Sequence, residues 1–390
     1  MTDNEQQALG DLLELIPIAG PPAQEAGVAA HLRAKLVTIG IPEASITTDN
    51  AQEQSEYGGN TGNLIVSLNG HGQDDRWMYS THMDTVPGAV GTEPRIDGDD
   101  IVSGIEGKAL GGDNRAGCAL LLQVARSLVD QKGNHRPSTL AFFIQEEVGL
   151  VGARGMDLNK LGSPLPSLCF NFDGGPPEEL VTSVIGTERF NIHIDGIPSH
   201  AGARPEQGVS ASTIAAVAVA ELEREGWNGR IDRPEGRGSA NVGTIQGGTG
   251  TNVIMPNLHI LAEARSHSPS FRRMIIGRWE AAFERATISV TNEAGARGNV
   301  KFSGGPTYEP YALPEDAPVI KAIEEAAREC DIVTKCVTND GGMDANWIVG
   351  HGIPAVTLGV GQQNAHTPEE RLNLSRFRTA CEIAITLSKS

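Results

Sequence analysis

No stretch of this 390-residue sequence stays apolar for the roughly 20 residues that a bilayer-spanning helix needs, so a membrane is not an expected partner. The opening, MTDNEQQALGDLLELI, has neither the basic flank nor the apolar run of a secretory signal. Cysteine is scarce: Cys118, Cys169, Cys330, Cys336 and Cys381 are odd in number, scattered and free of any Cys-x-x-Cys pair. That excludes a disulfide framework and a thiolate zinc site, and it points to a reducing compartment and a cytoplasmic location. Positive charge is also short, with 31 Lys and Arg against 49 Asp and Glu, a net charge of −18 and a pI near 5.0. A nucleic-acid partner is excluded on that ground, because phosphate demands clustered Lys and Arg. There is no internal repeat and no low-complexity linker.

What is present is a chain longer than one hydrophobic core usually supports, so two domains are expected. Helices are expected over 5–16 and 23–39, the second ending at Gly40 with Pro42 just beyond. Strands at 63–68, 77–80, 139–144 and 168–172 alternate with a helix at 116–129. The alternation of helices with such strands, short and apolar at 139–144 and 168–172, fits an α/β fold with a mostly parallel central sheet flanked by helices. Near residue 185 the pattern changes to strands solvated on one face. The order there is strand 189–194, helix 210–224, strands 241–246 and 258–264, helix 270–289 and strand 300–303. This is the split βαβ arrangement of a ferredoxin-like α+β domain. The buried style resumes with a helix at 315–330, strands at 332–337 and 355–360, and a final helix. The expected organisation is a discontinuous domain, 1–184 and 304–390, with a smaller domain, 185–303, inserted into it.

Acidic and histidine clusters sit at the ends of the apolar strands. In 82–87, HMDTVP, His82 and Asp84 are two apart and project to one side of an extended chain. A metal-bound imidazole usually gives its other N–H to a carboxylate, a role open to Asp84; a strand-end His beside a turn Asp is the equal alternative. In 110–117, LGGDNRAG, Asp113 is either a ligand or a helix N-cap. Glu146 and Glu147 follow a buried strand as adjacent carboxylates, which repel and cost free energy to bury unless a cation compensates both. Asp173 in NFDGG is a ligand or a turn former, and His366 lies in the loop NAHTPEE. Together they supply enough donors for two zinc ions that share a carboxylate.

Taken in order, HMDTVP, LGGDNRAG, the Glu pair of FFIQEEVGLVGARG, NFDGG, SHAG and NAHTPEE resemble the signature of one zinc metallopeptidase family. Its members include tripeptidase T, carboxypeptidase G, aminoacylase and succinyl-diaminopimelate desuccinylase. The resemblance spans essentially the whole chain, and with GGMDAN (341–346) it is strongest to the tripeptidase T branch. That branch more often has Asp-Asp-Lys where this chain has Asp113-Asn114-Arg115, which loosens a strict tripeptide preference.

The resemblance implies two Zn²⁺ per subunit, or Co²⁺ or Mn²⁺ in their place. His82, Asp113 and Asp173 would hold one ion, and Asp113, Glu147 and His366 the other. Asp84 would steady His82, and Glu146 would be the general base acting on a water shared by the ions. The peptide after Asp113 is expected to be cis. The inserted domain would be a lid and homodimer contact, with His200 stabilising the oxyanion and Asn252 and Arg265 touching substrate; an ion pair with a nearby acid is the other reading of Arg265. The implied activity is cleavage of the N-terminal peptide bond of short peptides. An N-acyl-amino-acid or carboxypeptidase-type amidohydrolase on the same metals, and a non-catalytic dimeric binding protein, are the alternatives. His31, His71, His135, His193, His259, His267 and His351 are expected to serve only surface or packing roles.

Overall fold

The computed structural model describes residues 3–70 and 75–390; His71 lies outside the described residues. The chain divides into two compact units, Met1–Ser183 with Ala312–Asn339 and Met343–Ser390, and Val184–Tyr311 with Asp340–Gly342. Each has its own hydrophobic core. Among the described residues no helix is long and apolar enough to cross a membrane.

In the larger unit the apolar runs become the middle of a sheet. Ser138–Phe143, Trp77–His82, Leu168–Phe172 and Ala355–Leu358 lie side by side and parallel. All four are buried along their whole length, as expected of strands covered on both faces. Strands toward both edges, Leu64–Leu68 and Glu179–Val184, join antiparallel, so a parallel centre carries antiparallel margins. Helices Asp3–Leu15, Gly112–Asp130 and Leu374–Leu387 pack together, and the middle one also packs on Trp77–His82. The parallel strands present their carboxyl ends together, where open α/β sheets bind ligands: His82 is paired with Phe143, and Asp173 follows Phe172.

A second, four-stranded sheet was not expected from the sequence. Its order is Gln362–Gln363, Arg371–Asn373, Asp100–Ser103, Pro94–Asp97. The first two strands make a hairpin whose connecting loop carries His366.

The smaller unit is a five-stranded antiparallel sheet in the order Gly229–Arg233, Gly236–Gly247, Asn257–Ser266, Gly186–Asp195, Asn299–Tyr308. Without its first strand this is the split βαβ order read from the sequence. Helices Ala211–Glu225 and Pro269–Ser289 share a core with one face of the sheet, built from Phe190, Ile192, Ile194, Leu258 and Ile260. Ser210 and Ser268 cap the two helices through hydrogen bonds from Thr213 and Phe271 N–H.

Candidate metal centre and active site

His82 is the last residue of its strand and its ring is 2% exposed. Nδ1 lies 3.1 Å from the Asp84 carbonyl and 3.4 Å from its Oδ1. On the other side Nε2 is 3.2 Å from Asp113 Oδ1 and 3.9 Å from Asp173 Oδ1. Burial disfavours a charged ring, yet hydrogen bonds to Asp113 and Asp84 and the charges of Asp173 and Glu146 outweigh it, holding His82 well above its usual range.

Asp113 divides its carboxylate between two histidines. Oδ2 is 3.1 Å from His366 Nε2 while Oδ1 faces His82. Burial raises its pKa, but hydrogen bonds from His366 and His82 prevail and hold it below the ordinary carboxylate range. The N-cap alternative for Asp113 does not describe it. Asn114 does that work, its Oδ1 accepting from Gly117 N–H at 2.9 Å, which leaves Asp113 free to face the histidines. The Asp113–Asn114 peptide is cis, as the resemblance implied. Gly117 lets the helix seat against the strand ends, since a Cβ there would come 2.0 Å from Thr81 Oγ1 and 2.7 Å from the Phe172 carbonyl.

The Glu pair completes the cluster. Glu147 meets His366 Nε2 through both oxygens, at 2.9 and 3.0 Å. Its pKa is raised by burial against the pull of the His366 hydrogen bond. Glu146 is held well above the carboxylate range by burial, reinforced by Asp344, Asp173 and Glu147 and opposed by His82. Burial and the charge of Asp113 push Asp173 up to about 7. Ligand atoms of His82, Asp113 and Asp173 lie within 4.8 Å of one another, as do those of Asp113, Glu147 and His366, and those of His82, Glu146 and Glu147. Crowded, desolvated carboxylates interleaved with two imidazoles make a nitrogen and oxygen donor set that fits a divalent cation of the zinc type.

Several residues that hold the cluster were not singled out from the sequence. Buried Glu370 accepts from Gly111 N–H at 2.9 Å and Asp113 N–H at 3.0 Å. Gln362 accepts from Gly174 N–H at 3.0 Å and donates to Asn114 Oδ1 at 3.1 Å. Asp344 is 1% exposed, and neither of its oxygens has a hydrogen-bond partner among the described residues. Burial raises it well above the carboxylate range, with Asp84, Asp173 and Glu147 adding to the effect against His82. Glu370 and Asp344 lie inside the quoted NAHTPEE and GGMDAN segments, which was the available signal. Next to Asp173 is a cavity of ≈ 200 Å³, lined by Gly174, Gly175, Pro176, Val181, Val337 and Met343 among others.

In the smaller unit, the segment of His200 runs beside that of Asn252, with Ala201 N–H donating to the Asn252 carbonyl at 2.9 Å. His200 Nδ1 accepts from Gly202 and Ala203 N–H at 3.2 and 3.0 Å, so the neutral ring carries its proton on Nε2. Arg265 forms a two-pronged ion pair with Glu263, at 2.8 and 3.3 Å. Other histidines do local work: His193 stacks on His259 at 4.5 Å, and His351 Nε2 lies 3.0 Å from the Ala153 carbonyl.

Residues 78–390 match the description of Peptidase family M20/M25/M40. The chain is 30% identical over 386 residues to uncharacterized protein YqjE of Bacillus subtilis, covering 98% of each chain. A tripeptidase from Staphylococcus aureus superposes with a TM-score of 0.86 at 26% identity, over 99% of this chain and 98% of that one. The aminopeptidase PepT from Bacillus cereus gives 0.82 at 29% identity, with the same coverage. The sequence resemblance, the strand-end cluster and these likenesses agree, and the chain therefore belongs to peptidase family M20/M25/M40, a metal-dependent family, as a tripeptidase-like metallopeptidase.

Proposed function

We propose that this peptidase cleaves the N-terminal peptide bond of short, unblocked peptides at a centre of two Zn²⁺ ions. His82, Asp113 and Asp173 would bind one ion, and Asp113, Glu147 and His366 the other; Co²⁺ or Mn²⁺ suits the same donors. The observation that carries this reading is Asp113, whose two oxygens are turned to two different histidines, each with its own further carboxylate. When bound, such ions acidify water and polarise a carbonyl.

The protein's own groups do the rest. Asp84 fixes the ring of His82 and so the direction of its Nε2. Glu146, close to His82 yet outside both ligand sets, takes the proton of the attacking water and returns it to the leaving amine. Asp173, short and followed by two glycines, leaves room for the substrate's amino end, and the acidic surroundings favour a cationic amine over a blocked one. The cavity beside Asp173 would take a substrate side chain. In the same proposal the protein works as a homodimer through its smaller unit. His200 donates from Nε2 to the developing oxyanion, and Asn252 and Arg265 touch the substrate, Arg265 exchanging Glu263 for the far carboxylate.

The test is a screen of metal-reconstituted protein against di- and tripeptides with free or acetylated amino ends. Unblocked peptides should be cut from the amino end, and acetylation should lower kcat/KM at least roughly tenfold, equivalent to about 1.4 kcal/mol in the transition state. Equal or faster cleavage of N-acyl amino acids would replace this reading with an acylase. Bound zinc without turnover on any amide would leave a binding protein.

A further inference from the structure

Four consecutive backbone N–H groups lead out of strand Ser138–Phe143 into the Glu pair, and each is held by a side chain from elsewhere in the chain. Ile144 N–H donates to Asn63 Oδ1 at 3.1 Å, and Gln145 N–H to Glu25 Oε1 at 3.0 Å. Glu146 and Glu147 N–H donate to the two oxygens of Asp84 at 3.0 and 3.2 Å. The turn occurs at Gln145, a non-glycine residue with φ +51°, a conformation that persists only where surrounding structure enforces it. The Gln145 side chain is anchored as well, accepting from Ser55 Oγ at 2.5 Å and donating to the Gly58 carbonyl at 2.7 Å.

Asp84 already has a role through His82, whereas Glu25 has none. It is fully buried, comes from the segment just before helix Ala26–Ile39, and spends Oε1 on Ala23 and Gln145 N–H. A carboxyl is an expensive group to bury. Burial and the nearby charge of Asp84 push Glu25 up to about 7, so what it brings to the turn is an acceptor oxygen for two backbone N–H groups and not a charge.

We propose that Glu25 is a positioning residue: through the N–H of Gln145 it holds the left-handed turn that aims Glu146 and Glu147 at the cluster. The inference rests on the proposed roles of those two glutamates. Glu25 touches neither substrate nor ion and acts only through the backbone.

The experiment compares Glu25→Gln, which keeps an acceptor oxygen, with Glu25→Met, which keeps the bulk and loses it. Each is measured for kcat, KM and Co²⁺ affinity by competition with a chromophoric chelator, per mole of folded protein. Glu25→Met should lose roughly 10–100-fold in kcat and in affinity for the weaker Co²⁺ site, the range for residues that orient ligands. Its KM should stay within about threefold, and Glu25→Gln should stay within about threefold of the parent in everything. A Glu25→Met protein with unchanged kcat and Co²⁺ affinity overturns the proposal, and so does a Glu25→Gln protein as impaired as Glu25→Met. If Glu25→Met does not fold, Glu25→Asp takes its place: one methylene too short to keep both bonds, it should show the same losses in part, and full activity with full affinity overturns the idea. Should the parent cleave no peptide, the peptidase reading fails by itself, and the Co²⁺ affinities still decide the role of Glu25.

Discussion

The two halves of the cluster around Asp113 are built in different ways. His82 ends a fully buried strand, 2% exposed, with Asp84 on one nitrogen and Asp113 and Asp173 at the other. His366 sits in a hairpin loop with φ +69°, 52% of its side chain exposed, and meets Asp113 and Glu147. One half is therefore prepared by the packed core, where side chains have nowhere else to go. The other is carried on a loop between two short strands of a separate sheet. Glu370, four residues beyond His366, ties that loop to the cluster, accepting from Gly111 and Asp113 N–H at the loop's far end.

The largest effect should come from the residue that belongs to neither half. Glu146→Gln should lower kcat by roughly 10²–10⁴-fold, the usual worth of a general base, while metal analysis still finds both ions. Loss of one ion per subunit would show that Glu146 ligates and that Glu147 is the base, which would redraw the exposed half altogether.

Next in size is the contrast between the histidines. His82→Ala should abolish binding at the buried half and lower thermal stability, because it removes the imidazole that faces the carboxylates Asp84, Asp113 and Asp173 in a desolvated site. His366→Ala should weaken one ion by at least roughly 10–100-fold and leave the other, and the melting temperature, nearly as they were. Titration calorimetry with Co²⁺ separates the two. Equal losses in both variants would mean that the halves are a single cooperative site.

That contrast also marks what could be read in advance. The strands 168–172 and 139–144 were legible because each is short and apolar apart from Asn171 and Thr139, and the buried ligands were legible because a carboxylate or histidine directly after such a run has few bland explanations. Strand Gly229–Arg233 was not, since GRIDR is mostly exposed and becomes a strand only by pairing with Gly236–Gly247. The hairpin carrying His366 has strands of two and three residues, too short to show a period. The strand expected at 332–337 lies at Lys335–Asn339, and Val333, 90% exposed, falls before it and contributes nothing to a buried face. Supporting residues were hidden for another reason. Glu25 meets Gln145 across 120 positions and Glu370 meets Asp113 across 257, so no local spacing announces either contact. Asp113 itself was ambiguous until Asn114 was seen to satisfy Gly117 N–H in its stead.

The smallest effect concerns the exposed half without its ion. Hydrogen bonds to Asp113 and then to Glu147 push His366 up to about 10 in the metal-free fold, against about 6.5 in an unfolded chain. A histidine raised by folding adds stability that is complete below the unfolded value and fades as pH climbs toward the folded one. In protein stripped by a chelator, this part of the stability should therefore be present at pH 6 and decline steadily between about 6.5 and 10. His366→Gln cannot titrate, so the parent's advantage in melting temperature over the variant should shrink across that window. Half the ring faces solvent, so screening keeps the change small. Adding Zn²⁺ should reverse the trend, because the ion requires the neutral ring and competes with the proton, and binding strengthens as pH rises. A parent-minus-variant difference that is flat with pH in the chelated protein would mean that His366 swings away from Asp113 and Glu147 when no ion is bound. The loop half would then be assembled by the metal, in contrast to the half that the core builds around His82.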